Sequence, residues 1–445
     1  MTAPKLAAVI TAGGLGTRMK SGIPKHLHPL LGRRLVDWVL TAVRPLEPDP
    51  LVVVTAPERR EDFADADVEV AIQEQPRGTG DAVAAAASAL DGFTVGVLGL
   101  ESAAPVLTSE LLSEFVAEHR RAGAAATLLT LEPPMPLPYG RVVRGGDGEI
   151  RAVIEAADAT PEQLAIRELI GAMYVFEADA LWDALSRVDA DNAQGELYLT
   201  DTIRALVGAG RKVAAYRSPD PLAPIGVNTR SELAAAAGVL RARINDAHML
   251  AGATIVDPSS TWIDADVDLA PDTLIQPFTV LRGRTRVGEG AAVGPHVVAD
   301  DAEIGREATV GPFCYLRPGT VLGARAKVGA FVEIKNSTIG EDSKVPHQSY
   351  IGDAEIGAGT NIAAGNITAN YSHRPDVPKG RTKIGRNVRT GADNTFKAPV
   401  TIGDDAWIYP GTVITEDVPP GALAGFPPRQ VNKEGYVRGK RNDDD

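Results

Sequence analysis

With a single cysteine, Cys314, in 445 residues, the chain can form no internal disulfide and no multi-thiolate metal site. It also lacks an apolar run long enough to span a bilayer, and its N-terminus shows no charged and apolar leader ending in small residues. A soluble cytoplasmic protein without a membrane partner is therefore expected. Basic runs are missing too: the net charge is −13, which speaks against nucleic acid as a partner while leaving room for a local phosphate pocket. The last residues, Arg438 to Asp445, have no apolar anchor and read as a frayed tail.

What the chain does have is a beat. From Ile263 an aliphatic residue returns about every sixth position: Leu269, Ile275, Leu281, Val287, Val293, then Val298 after a slip of one, then Ile304, Val310, Leu316, Leu322, Val328 and Ile334. After a disturbed middle it resumes at Ile384, Phe396, Ile402, Ile408 and Ile414. Helical faces recur every 3.6 residues and strand faces every two, so a period of about six fits neither. Three such units per coil make a parallel β-helix in which each aliphatic points inward onto the coil below. The glycine after many of them, such as Gly288, Gly305, Gly323 and Gly340, suits corners that a larger side chain would crowd.

The length predicts two domains. Before the repeat, strand-like runs (Leu6 to Thr11, Leu51 to Thr55, Val95 to Leu100, Ala124 to Leu131) alternate with helical patterns (about Arg33 to Val43 and Ser109 to Arg121). That alternation reads as an α/β sheet wrapped by helices. Leu233, Ala237, Leu240 and Ile244 share one helical face, so a long helix is expected to join the halves. The domains are thus about 1–228, a linking helix 229–250, the β-helix 251–437 and a tail 438–445.

After the first strand comes Thr11-Ala12-Gly13-Gly14-Leu15-Gly16-Thr17-Arg18-Met19, then Pro24-Lys25. Glycines between strand and helix let backbone N–H groups approach a triphosphate, whose charge Arg18 and Lys25 can offset. This segment resembles the signature of sugar-nucleotide pyrophosphorylases. Gln73 and Gly78-Thr79-Gly80 resemble that family's nucleobase-reading segment, a structural turn being the alternative for the latter. Tyr139-Gly140-Arg141, Asn192-Ala193-Gln194-Gly195-Glu196 and Gly226-Val227-Asn228 extend the match.

Together with the six-residue repeat, these segments make nearly the whole chain resemble the bifunctional family of glucosamine-1-phosphate acetyltransferases and N-acetylglucosamine-1-phosphate uridyltransferases. The resemblance implies an α/β nucleotidyltransferase (Rossmann-like) domain followed by a left-handed parallel β-helix of hexapeptide repeats. It places Gly14, Gly16, Arg18, Lys25, Gln73, Gly78 and Thr79 at a nucleotide such as UTP or another NTP, and Gly140 and Glu155 at the sugar phosphate. It also implies Mg²⁺, needed only if this half is active, held by Asn228 and by the aspartate of a Gly-Asp-x-Pro-Leu segment.

That aspartate is missing, because the matching stretch reads Leu98-Gly99-Leu100-Glu101-Ser102-Ala103-Ala104-Pro105. Mg²⁺ demands near-octahedral oxygen ligation, so its carboxylate matters, and Glu101 is the one substitute nearby. The family's Glu-x-Lys-Asp-Ala appears as Glu155-Ala156-Ala157-Asp158-Ala159, and Glu-Ile-Asn-Thr-Gly as Glu168-Leu169-Ile170-Gly171-Ala172. Isoleucine cannot replace the donors and acceptor of an asparagine. This half therefore reads as a nucleotidyltransferase with altered or lost activity.

In the disturbed middle of the repeat, Tyr315-Leu316-Arg317-Pro318-Gly319, Val332-Glu333-Ile334-Lys335, His347-Gln348-Ser349-Tyr350-Ile351-Gly352-Asp353, Asn361-Ile362-Ala363-Ala364-Gly365 and Asn370-Tyr371 resemble the family's acetyltransferase site in the same order. Carried over, Arg317, Lys335 and Lys379 would grip the acceptor's phosphate, Tyr350, Asn361 and Asn370 would orient the amino sugar, and His347 would be the base. Ala364, Ala392, Tyr409 and Arg429 would meet acetyl-CoA. The chemistry suits these types: an amine attacks a thioester only when unprotonated, and a neutral imidazole can take its proton. A lone histidine often merely caps a turn, but here two cations lie about one coil away. His26, His28, His296 and His373 have no such company and are expected to be surface or structural.

Departures on the donor side are Ala363, Asn366, Ala392 and Tyr409-Pro410-Gly411, and 372–378 is an insertion. A parallel β-helix of this type resembles hexapeptide acyltransferases, which assemble as trimers, and trimer packing would cover the flat faces of stacked coils, so a homotrimer is expected. The leading expectation is an acetyl-CoA-dependent N-acetyltransferase acting on an amino-sugar 1-phosphate. A fully bifunctional enzyme using Glu101, and an inert sugar-nucleotide-binding paralog, are the alternatives.

Overall fold

The computed structural model describes residues 5–14, 16–91, 93, 96–372, 376–425, 430–434 and 436. Two compact units share the chain, Met1–Leu240 and Arg241–Asp445. The division falls inside the long helix Arg230–Leu250, which covers the stretch that the apolar helical face marked. Within the first unit Ala236 and Leu240 pack with Met19, Leu30 and Leu35, and within the second Ile244 and Met249 pack on the β-helix core.

The first unit is an α/β fold. The strands of its main sheet are β1 (Ala7–Thr11), β2 (Leu51–Thr55), β3 (Glu69–Ile72), β4 (Val97–Glu101), β5 (Ala126–Leu131), β6 (Arg141–Arg144), β7 (Ile150–Ile154), β8 (Leu169–Phe176) and β9 (Val213–Arg217). The sheet order is β9-β5-β8-β4-β1-β2-β3, with the antiparallel pair β6 and β7 attached through β8. All neighbours on this path run parallel except β8, which is antiparallel to β4 and β5. Its central strands are buried on both faces. Ala7, Val9, Val52 and Val54 face one apolar cluster, while Ala8, Ile10, Val53, Leu98 and Leu100 face the other. The expected strand beginnings at Leu6, Val95 and Ala124 fall about two residues early or less, because propensity does not see where a ladder starts.

Strand β8 carries an irregularity between Ile170 and Tyr174, where Ala172 sits at φ 52. A methyl group in the left-handed region crowds the following carbonyl, and glycine does not. Ala172 is exposed, so nothing packs around its side chain to offset this. Ala172→Gly is expected to raise stability by about 1 kcal/mol, read as a higher melting temperature or urea midpoint; an unchanged or lower midpoint would show the backbone to be unstrained.

The second unit is a left-handed parallel β-helix with three faces. One face carries nine stacked strands from Trp262–Ile263 to Val413–Ile414, a second eight from Asp268–Leu269 to Val400–Ile402, and a third six from Thr254–Ile255 to Lys344–His347. A further stack from Arg389–Thr390 to Leu423–Ala424 extends the last. Inward aliphatics such as Ile263, Leu281, Leu316, Ile334 and Ile351 are 0% exposed, and they form one continuous core. Burying each is worth roughly 1.5–3 kcal/mol, which is why short strands with little local propensity hold their register.

One inward position differs from expectation. After Val293 the residue facing the core is Ala299, fully buried and in register with Leu281 below and Leu316 above, not Val298. The beat is kept and the next coil is shortened by one residue. A small alanine core position beside two valines is what hid it. At Gly305 an added methyl would lie 2.7 Å from the carbonyl carbon of Gly323, so this glycine column is dictated by the closeness of the coils. Cys314 is buried, and burial pushes its thiol up to about 11, leaving it unreactive.

Among the described residues no helix is long and apolar enough to cross a membrane.

Candidate functional site

In the first unit the glycine loop follows β1 directly. Gly16 is at φ 62, and a methyl there would lie 2.6 Å from Lys25 Cβ, so glycine lets the loop fold onto Lys25. Gly14 faces open space, and Arg18 is exposed on the turn Thr17–Met19. Gln73 is buried beside Gly13 and donates from Nε2 to Gly78 O (3.2 Å) and Asp81 Oδ2 (2.9 Å). Thr79 opens a short helix and accepts from Leu199 N (3.0 Å), while Gly80 N donates to Leu197 O (2.8 Å). The expected nucleotide residues thus border one loop-lined region at the C-terminal ends of β1 and β3.

Glu101 is the last residue of β4 and lies in register with Thr11. Ala103 and Ala104 tuck into the interior, and Val227 N donates to Ala103 O (2.7 Å), joining this stretch to Gly226-Val227-Asn228. Gly226 leaves room for the arriving carboxylate, since a methyl there would lie 2.8 Å from Glu101 Cδ. Lys25 Nζ donates to Glu101 Oε1 and to Asn228 Oδ1, the latter at 3.0 Å. Asn228 is itself held, because its backbone N–H donates to Glu232 Oε2 (2.7 Å). Glu101 and Asn228 therefore aim their oxygens at one cation.

That donor set suits Mg²⁺, a hard cation that commonly takes one or two protein oxygens and leaves its other positions to phosphate and water. Among the described residues no three His, Cys, Asp or Glu side chains group as a protein-only metal cage.

The sugar side differs. A methyl on Gly140 would lie 2.9 Å from Ile170 Cγ2 and 3.5 Å from Glu155 Oε2, so Ile170 stands beside the two residues expected at the sugar. Burial pushes the Glu155 carboxyl above its ordinary range, opposed by a hydrogen bond from Thr200 Oγ1 (3.1 Å) and reinforced by Asp201 and Asp158. A pocket of about 410 Å³ runs past Glu155, Asp158, Tyr198 and Asp201.

In the second unit, strand pairing sets the geometry. Arg317 N donates to Ile334 O (2.8 Å), and Lys335 is in register with Gly352, so Arg317, Lys335 and Gly352 end three successive coils of one face. Gly352 is required there by Tyr350, whose Cζ would lie 2.6 Å from a methyl at that position. The Tyr350 ring thus lies along its own strand over Gly352. Arg317 Nη1 donates to Glu333 Oε1 (2.9 Å), which raises the guanidinium above its ordinary range, and its Cζ stands 5.9 Å from the Tyr315 ring centre. The nearby Lys379 ammonium lowers Lys335, the response of two cations sharing one place. Lys379 Nζ also lies 5.5 Å from the Tyr371 ring centre.

His347 ends the strand Lys344–His347 and is exposed, one corner before Tyr350. It is in register with Ala330 below. Above, Gly365 N donates to Gln348 O (3.1 Å), Asp393 N to Ala364 O (2.8 Å) and Gly411 N to Ala392 O (2.9 Å). Ala364 and Ala392 therefore continue the His347 column over the next coils, and Tyr409 lies one coil higher, two residues before Gly411. Arg429 lies outside the described residues, as does His373. Asn361 is placed apart: it bridges Lys344 and Arg389 on the His347 face, away from the ends of the Arg317 and Lys335 strands.

Sequence reasoning did not single out Asp353. Its Oδ1 accepts from Asn336 Nδ2 (2.6 Å) and its Oδ2 from Asn370 Nδ2, and burial, which alone would raise the carboxyl, is overcome by these bonds with Lys335 and Lys379, so it stays below its ordinary range. Both partners lie 17 positions away, the length of one short coil, so counting in coils instead of hexads is the signal that would have found it.

His26, His28 and His296 take part in packing. His26 stacks on Phe63 with ring centres 5.5 Å apart, and burial, with Arg34, Arg59 and Lys25 nearby, lowers it to about 4. His28 is also buried, and His296 lies between Phe278 and Phe313.

Residues 8–198 match the model of a MobA-like NTP transferase domain, and residues 301–336 match the bacterial transferase hexapeptide model of six repeats. Over 98% of its length the chain is 48% identical to the bifunctional protein GlmU of Mycolicibacterium vanbaalenii, covering 93% of that protein. It is 45% identical to the bifunctional GlmU proteins of Corynebacterium efficiens and Streptomyces avermitilis, again over 98% of this chain and 94% of each of theirs.

Proposed function

The chain belongs to the family of bifunctional GlmU proteins, and from that footing we propose that its β-helix transfers the acetyl group of acetyl-CoA to the amine of an amino-sugar 1-phosphate such as glucosamine 1-phosphate. The observation that carries this reading is the meeting of Arg317, Lys335 and Lys379 beside Tyr350, one corner from His347. Three cations at one place form a seat for a phosphate dianion. The amine nitrogen attacks the thioester carbon, the C–N bond forms as the C–S bond breaks, His347 takes the amine proton, and coenzyme A leaves as a thiolate that is then protonated. Ala364 and Ala392, small and stacked above His347, leave room for the pantetheine arm.

The acceptor set is divided between faces of the β-helix. Asn361, level with the start of the strand that His347 ends and so away from that corner, would serve the site of a neighbouring copy, and this supports a homotrimer in which each site is completed across a boundary.

A second activity in the first unit is favoured by the convergence of Glu101 and Asn228. The reading is nucleotidyl transfer from UTP or another nucleoside triphosphate onto a sugar 1-phosphate, with Glu101 in place of the family's aspartate. Glu101 and Asn228 would hold Mg²⁺, which would supply positive charge against the charge that develops in phosphoryl chemistry. The glycine loop and Arg18 would bind the phosphates, and Lys25, released from its two oxygen partners, would join them. Ile170 narrows what the sugar can offer at that position, so the sugar acceptor is altered.

Two assays on the purified chain test these readings. Thiol release from acetyl-CoA with glucosamine 1-phosphate is expected, as is pyrophosphate release from UTP with a sugar 1-phosphate and Mg²⁺. Failure of the first overturns the acetyltransferase reading. Failure of the second, with N-acetylglucosamine 1-phosphate and with glucose 1-phosphate, overturns the nucleotidyl reading.

A further inference from the structure

Asp353 occupies the corner between Tyr350–Gly352 and Ala354–Ile356, with its backbone at φ 49. Its amide donates to Lys335 O (3.0 Å) and its carbonyl accepts from Thr382 N (3.2 Å), so the main chain is fixed on both sides. The residue is 7% exposed. Each carboxylate oxygen is taken by an amide, Oδ1 by Asn336 and Oδ2 by Asn370. Asn370 is 8% exposed and is one of the three residues expected, with Tyr350 and Asn361, to orient the amino sugar.

An ionised carboxylate only accepts hydrogen bonds, whereas a carboxamide has one donating and one accepting end. With Nδ2 of Asn370 committed to Asp353, turning the amide over would bring its oxygen against a carboxylate oxygen and lose a charge-assisted bond. That bond uses one of the two N–H groups of Nδ2 and holds Oδ1, which only accepts, on the side of the amide away from the carboxylate. A neutral amine offers two N–H groups and one lone pair. One N–H can be held by Asn370 Oδ1 and the other surrendered to His347, while the lone pair faces the thioester. A hydroxyl has a single O–H and cannot serve both.

We propose that Asp353 is a positioning residue that acts through Asn370, locking its amide so that the site prefers an amine over a hydroxyl at the acceptor position. The inference rests on the acetyltransferase reading and goes further, since it assigns the choice of nitrogen over oxygen to a carboxylate outside the acceptor's own contacts. Asp353 also places a negative charge among Lys335 and Lys379. Removing that charge should not weaken the hold on a phosphate.

The test is calorimetric titration of the full chain with glucosamine 1-phosphate and with glucose 1-phosphate, which differ at the amine. The wild type is expected to prefer the amine ligand. Asp353→Asn is expected to lower that preference about tenfold, to leave binding of glucose 1-phosphate as tight or tighter, and to lower kcat for thiol release more than it raises KM. In a double-mutant cycle, Asp353→Asn added to Asn370→Ala is expected to change the preference no further. Independent, multiplying effects would mean that Asp353 acts through its charge alone, and the proposal would fall. An unchanged preference in Asp353→Asn overturns it as well. If that variant does not fold, Asn336→Ala and Asn370→Ala decide: the first is expected to keep the preference, the second to lose it, and equal effects overturn the assignment. A wild type that binds neither ligand refutes the acetyltransferase reading itself, a different result from a wild type that binds both equally, which refutes only the role of Asp353.

Discussion

His347→Ala is expected to lower kcat for thiol release by about 10²- to 10⁴-fold, the usual contribution of a general base, with little change in KM for the sugar phosphate. The split follows from the geometry. In the proposed site Arg317, Lys335 and Lys379 would hold the phosphate from strand ends and a loop that do not depend on the imidazole, so ground-state binding is expected to survive. Pyrophosphate release should be unaffected, because the first unit has its own core and loop. Steady-state kinetics with varied acceptor check this. Retention of wild-type kcat would remove His347 from the mechanism and leave it as the end of a strand.

Glu101→Gln is expected to lower nucleotidyl transfer by on the order of 10²-fold or more, since a metal's charge stabilisation is worth several kcal/mol and this carboxylate is the only anionic protein ligand in the pair. Activity alone would not separate a metal ligand from an ion-pair partner of Lys25. Mn²⁺ titration followed by electron paramagnetic resonance, in the presence of UTP, does so: the wild type should bind the ion, and the variant at least tenfold more weakly. A wild type without Mn²⁺ binding would leave Glu101 as the counter-ion of Lys25. Equal binding by both would place the metal elsewhere. Thiol release is the internal control for folding and should not change.

The substituted carboxylate shows where reading the chain reached its limit. The missing aspartate is plain in Gly99-Leu100-Glu101-Ser102-Ala103, and so is the presence of a glutamate. Whether that glutamate could arrive was not legible, because its position depends on the register of β4 with β1, on the inward turn of Ala103 and Ala104, and on the space left by Gly226, which is 125 positions further along the chain. Lys25 reports the outcome by joining Glu101 to Asn228. The sugar side was more legible, since Ile170 replaces a polar residue within a short segment and the structure leaves it next to Gly140 and Glu155.

In the β-helix the beat placed nearly every inward residue because burial there is periodic and local. It misplaced one: Ala299 faces the core where Val298 was expected, and hydrophobicity could not choose between adjacent residues when the smaller one pointed inward. Asp353 illustrates a second limit. It sits inside a segment that was recognised, yet its importance comes from Asn336 and Asn370, each one coil away, and from the burial that makes those two bonds strong.

By itself the sequence determined the two fold types, an α/β fold and a β-helix, and the residue types available for each chemistry, because periodic burial and short glycine-rich segments are written locally. Only the tertiary structure decided which of those residues meet. It brought Glu101 to Asn228, turned both asparagine amides onto Asp353, and left Asn361 on another face. Such meetings depend on coil length and strand ends, and no local pattern records where two distant turns of the chain come to rest.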